Sequence, residues 1–231
     1  MMLESILGIA YAVPVMPIEP EPAREQPIRP LQDVWLRPRR VFRELASQPI
    51  GRVDFLLGAA QGMVSWLALS RTQNAGATAG VAEILGKGLV IGSIFGIVSL
   101  YMMAEVYTRL GKRVGGAATR SQVIHVLAYG GLPMAVSLGI WVLAALLAGE
   151  ATFMQEQRPD VESFVALLLR AQFIAYVLLL IWSLVLQVMG FSEMQGFATR
   201  KAFGVWVLGQ LIVLLAALFL AVLIATLFPG S

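Results

Sequence analysis

The sequence predicts an all-α, polytopic transmembrane bundle of about five spanning helices, with the amino terminus inside and the carboxyl terminus outside. Three observations carry this prediction. Of the 231 residues, 58% are hydrophobic and only 13% charged, where a soluble domain carries about 25% charged residues. The mean hydropathy is +0.77. The remaining charges stand between long apolar runs, and five runs approach or exceed the roughly 20 residues that cross about 30 Å of hydrocarbon. Five such runs leave no polar faces to cover them, so lipid must.

Taken in order, residues 1–30 read as a flexible leader. From Pro14 to Pro30 six prolines alternate with acidic groups and two arginines, a composition that cannot bury enough apolar area to fold. Residues 31–49, LQDVWLRPRRVFRELASQP, predict a short basic amphipathic helix. Pro38 suits a first helical turn, where its missing N–H is no loss. Val41, Phe42 and Leu45 share one face, Arg39, Arg40 and Arg43 fall mostly on the other, and Pro49 ends the segment. Such a helix beside a span reads as an interfacial element, with Trp35 at the headgroup level. Each arginine there gains about 1 kcal/mol near an anionic leaflet.

The transmembrane domain follows over residues 50–231, with spans at about 53–70, 88–110, 123–148, 164–189 and 203–228. Pro133 offers a kink in the third. Arg170 either snorkels from the start of the fourth or precedes it. Orientation comes from lysine and arginine. With the amino terminus inside, thirteen of them fall on inner segments and four on the outer side or outer helix ends. The outer segment 149–163 is acidic instead.

Two features inside the spans stand out. Gly58 and Gly62 in the first span and Gly88, Gly92 and Gly96 in the second recur every four residues, the spacing that lets helix backbones approach closely in lipid. Packing within the monomer is the plainer use; a homo-oligomer seam is the alternative. The second feature is polar. Glu105 with Arg109, His125 with Tyr129 one turn deeper, and Gln187 all fall at similar depth near the inner side. Intramembrane polar groups are expensive and so often functional, and a single cluster of these five is expected, as a hydrogen-bonded lock or a proton-linked switch.

Reaction chemistry does not assemble. With no cysteine and one histidine, thiol nucleophiles are excluded and a zinc site has too few ligands. No phosphate loop, G-x-S-x-G or H-E-x-x-H motif occurs. No cofactor and no nucleic-acid partner are expected.

Three segments carry a family resemblance: Trp35-Leu36-Arg37-Pro38-Arg39-Arg40-Val41-Phe42-Arg43, Ala128-Tyr129-Gly130-Gly131-Leu132-Pro133, and Phe191-Ser192-Glu193-Met194-Gln195-Gly196-Phe197 followed by Lys201-Ala202. In order and spacing they resemble the Yip family of five-span membrane proteins, in its bacterial branch. The resemblance implies a membrane bundle rather than a chemistry. Eukaryotic members interact with Rab-type GTPases and vesicle-shaping partners; the leader here differs from their acidic amino-terminal segment. An excess of arginine over lysine, a habit of GC-rich bacterial genomes, agrees with a bacterial inner membrane.

The leading expectation is therefore a non-enzymatic scaffold, assembly or accessory subunit that binds membrane lipids or other membrane proteins. Its exposed tools are the Trp35-to-Arg43 helix and the Phe191-to-Lys201 loop. The alternative is a channel or transporter for a small solute or protons, working through Glu105 and His125.

Overall fold

The computed structural model describes residues 28–155 and 163–227. The leader before residue 28, and Arg158 with the acidic groups of 156–162, lie outside the described residues. Among the described residues, five helical stretches are long and apolar enough to cross a membrane: Arg52–Thr72, Val81–Arg113, Arg120–Phe153, Phe164–Gln195 and Thr199–Phe219.

Two short helices precede the first span, α1 (Pro30–Asp33) and α2 (Pro38–Leu45), each with proline in its first turn. The first span is α3 (Arg52–Thr72). The second joins α4 (Val81–Lys87) through a π-helical turn, Gly88–Gly92, to α5 (Ser93–Arg113). It begins a full turn or more before residue 88, because Lys87 pairs with Glu83 at 2.6 Å along the same exposed helix face and so does not interrupt it. The third span is α6 (Arg120–Gly130) and α7 (Leu132–Ala148), broken at Gly131. The fourth and fifth are α8 (Ser163–Gln195) and α9 (Thr199–Leu227). Arg170 thus lies inside the fourth helical stretch and is exposed. At 1.5 Å per residue that helix is about 48 Å long, so its ends pass beyond the hydrocarbon.

The first span lies at the centre, with α3 against α5, α6 and α7; α8 packs on α6, α7 and α9. The glycine stripes explain the closest of these contacts. They meet each other: a Cβ on Gly62 would collide with the carbonyl oxygen of Gly92 and the backbone of Gly96, and one on Gly96 would collide with the carbonyl oxygen of Gly58. The seam is therefore formed within one chain, between its first and second spans.

The break in the third span follows from Pro133, which has no N–H for the carbonyl of Tyr129. Carbonyls freed at such a break need donors from neighbouring helices. Gln61 Nε2 of α3 donates to the carbonyl of Ala128 at 3.2 Å, and Ser183 Oγ of α8 to that of Gly130 at 2.9 Å. Neighbouring spans thus bond the carbonyls on either side of Tyr129.

Candidate functional site

The richest polar structure lies at the end of the bundle that carries α2. This helix turns its apolar face onto the bundle. Val41 and Phe42 are fully buried, Leu45 and Pro38 are buried, and Trp35 packs at the edge of the same core. Phe42 lies over Gly190 of α8, where any side chain would collide with it. The apolar stripe read from the sequence as lipid-facing is thus covered by α8 and α6. Arg39, Arg40 and Arg43 remain on the other side. Arg43 Nε meets Glu193 Oε1 at 2.8 Å, Arg39 lies 3.7 Å from the same carboxylate and donates to Thr199 Oγ1 at 3.0 Å, and Arg40 pairs with Glu44.

The segment 191–201 also differs from its expected form. Phe191 to Gln195 are the last turns of α8, with Phe191, Ser192, Met194 and Gln195 buried. Only a tight turn separates them from α9, and Gly196 takes φ +68° there, the left-handed conformation that glycine adopts without strain. Gln195 Oε1 accepts the N–H of Ala118 at 3.1 Å, and Gly111 and Gly116 close against its amide. Within the segment expected to be an exposed docking loop, Phe191 to Gln195 and Phe197 thus form a mostly buried joint, while Gly196 and residues 198–201 are exposed.

Beneath α2 sits a buried ionisable pair. His125 Nδ1 lies 2.7 Å from Asp54 Oδ1, and both side chains are 2–3% exposed. His125 Nε2 is 3.1 Å from the carbonyl oxygen of Gln48, and the Gly51 N–H donates to Asp54 Oδ2 at 2.8 Å. A carbonyl can only accept, so Nε2 carries a hydrogen. The remaining proton lies between Nδ1 and Oδ1, and whichever atom holds it, the pair has no net charge. A neutral, fully bonded pair is the form that burial tolerates. One histidine thereby ties the turn after α2 and the starts of the first and third spans together.

The five polar residues expected to form one cluster divide into three groups. Glu105 is bonded to Arg109 at 2.7 Å and lies 3.5 Å from Arg120. His125 pairs with Asp54, and its ring centroid is 6.3 Å from that of Tyr129. Gln187 accepts from Trp206 Nε1 at 3.0 Å and donates to Ser183 Oγ at 3.3 Å. Gln187 also lines a cavity of about 330 Å³ whose polar lining includes Gln61, Ser65, Ser99 and Gln210. Neither Glu105 nor His125 lines it. Asp54, Gln48 and Gln61 were not singled out in the sequence. The usable signal for Asp54 was its position at a helix start three residues after Gly51, where a carboxylate caps the backbone. For Gln61 it was an amide deep in an apolar run.

The Yip1 domain family model matches residues 33–228. The chain belongs to the Yip1 domain family. No curated protein and no solved structure matches it. Within this Yip1 domain, the three segments that carried the resemblance are the ones that meet: Trp35–Arg43 on the end of α8, α8 on α6, and the Ala128–Pro133 break fastened by Ser183 of α8. The geometry accounts for their residue types. Glycine lies under Phe42, glutamate faces two arginines, and proline stands where a neighbouring span supplies the donors.

Proposed function

We propose that this integral membrane protein is a non-enzymatic scaffold, assembly or accessory subunit of a bacterial inner membrane, oriented N-in and C-out. Its α2 end engages anionic lipid headgroups or acidic faces of other membrane proteins. The observation that supports the reading most is the anchoring of α2. With its apolar face held by the bundle, α2 keeps Arg39 and Arg43 exposed beside Glu193, at the end where Arg52, Arg113, Arg120, Arg200 and Lys201 also emerge. Such a basic end attracts an anionic leaflet by about 1 kcal/mol per charge near the surface and agrees with the inner placement of positive charge.

The test uses Arg37, Arg113 and Arg200, whose exposed side chains make no hydrogen bond or ion pair among the described residues. Changing the three to glutamine should lower, without abolishing, the anionic lipid and acidic membrane partners that co-purify in mild detergent, with thermal stability unchanged. Undiminished co-purification refutes the reading. A second reading, passage of a small polar solute or protons, draws on the cavity lined by Gln61, Gln187 and Gln210. Flux in proteoliposomes that Gln61→Leu abolishes would favour it.

A further inference from the structure

At the end of the bundle opposite α2, a cavity of about 400 Å³ is lined by Arg71, Gln172, Trp141, Phe173, Tyr176 and Gln155, with Ala68 and Thr72. Its walls are well fixed. Trp141 stacks on Phe153 at 6.2 Å between centroids and meets Tyr176 edge-on at 6.0 Å. Its polar lining is unbalanced. Arg71 is half-buried, lies 6.0 Å over the Phe173 ring, and donates to Gln172 Oε1 at 3.4 Å. Among the described residues no carboxylate pairs with it, and none lines the cavity. Gln172, 3% exposed, has its oxygen committed to Arg71, while its Nε2 has no partner among the described residues. Trp141, also 3% exposed, has an Nε1 likewise without one. Buried donors are normally satisfied, and an unmet one destabilises. Among the described residues this wall therefore has a cation and surplus N–H groups and no negatively charged acceptor.

A second cavity, of about 330 Å³, shares Arg71 and Phe173 and adds Arg170, Leu169 and Ile174. Phe173 and Ile174 are 55% and 59% exposed, on the outer surface of a helix apolar and long enough to cross a membrane. Arg71 follows Arg52 by nineteen residues of one helix, a rise of about 28 Å, which is close to the hydrocarbon thickness. Arg71 thus stands one hydrocarbon thickness from Arg52, and Arg170 lines the same cavity, with an apolar slope of Phe173 and Ile174 beside them.

We propose that the two cavities form one phospholipid site, in which the phosphate is held between Arg71 and Arg170 and the acyl chains lie along Phe173 and Ile174. The ligand chemistry is an oxyanion on an apolar body. A forked guanidinium suits phosphate oxygens, and the aromatic wall of Trp141 and Tyr176 suits the interface. This site is separate from the basic α2 end and does not depend on the function proposed for that end.

The test is native mass spectrometry of the full chain in mild detergent. The probes are phosphatidylglycerol, diacylglycerol as its phosphate-free counterpart, and inorganic phosphate. Wild type should retain phosphatidylglycerol and not diacylglycerol. Arg71→Gln should weaken retention about tenfold, the scale of one hydrogen bond to a charged group, while Arg71→Lys recovers part of it. Arg170→Gln, at an exposed position, should also weaken retention and carries the test if Arg71→Gln fails to fold. The Arg37, Arg113 and Arg200 triple variant should keep the Arg71-dependent retention, which separates this site from the α2 end. Wild-type retention by both single variants overturns the proposal. So does equal retention of diacylglycerol, or binding of inorganic phosphate with no lipid retained.

Discussion

Two hydrogen bonds meet at the carboxyl group of Asp54, one shared with His125 Nδ1 and one from the Gly51 N–H, and alanine at this position removes both. The ring nitrogen is left buried without its partner, which destabilises by about 1–3 kcal/mol. The lost helix cap adds about 1 kcal/mol, so Asp54→Ala should lower stability by about 2–4 kcal/mol. The informative quantity is the coupling with His125→Leu, which keeps most of the ring's volume. Because the 2.7 Å contact joins the two side chains, the double variant should lose less than the sum of the two single losses. The coupling should be about 1.5–3 kcal/mol, read from denaturation in mixed micelles followed by circular dichroism. Glu105→Ala combined with His125→Leu is the control and should be additive, because Glu105 is bonded to Arg109 and Arg120 instead. A coupling below about 0.5 kcal/mol for the Asp54 pair refutes the lock.

Other perturbations test the packing. Gly62→Leu places a side chain into the backbone of Gly92 and Gly96 and should destabilise by about 1–3 kcal/mol or more, visible as a lowered melting temperature in detergent. Ser183→Ala removes the donor to the Gly130 carbonyl; an interhelical bond of this kind is worth about 0.6 kcal/mol on average and about 1.7 at most, measurable in the same micelle titration. Glu193→Gln frees Arg39 and Arg43, whose side chains are 46% and 69% exposed. Such pairs contribute about 0.2–1 kcal/mol, so global stability should hardly change while hydrogen exchange in α2 quickens.

The spans were legible because lipid imposes a length and a composition on each helix independently of its neighbours. The glycine stripes were legible because a four-residue spacing places small residues on one face. The polar contacts were less so, for a definite reason. Depth can be counted along a sequence, but the direction in which a side chain leaves its helix depends on how each helix is rotated against its neighbours. His125 and Glu105 stand at similar depth, yet His125 is turned toward α3 and the loop after α2, where Asp54 waits at a helix start that the count placed at the edge of the span. The burial of α2 escaped for a related reason. A basic amphipathic helix has the same pattern whether its apolar face meets lipid or protein. Only Gly190, far away in sequence and shaped to admit Phe42, distinguishes the two.

The π-helical turn at Gly88–Gly92 bears on how this chain tolerates changes of length. A residue added to or removed from an ordinary spanning helix rotates everything beyond it by about 100° and misdirects the buried face. A π turn already holds one residue in excess of the regular spiral. Ile84 before it and Gly96 after it both face inward across that surplus. A homologue one residue shorter there could close the turn into regular α-helix and keep both faces where they are. Insertions and deletions among relatives should therefore gather at these five positions and avoid the rest of the second span.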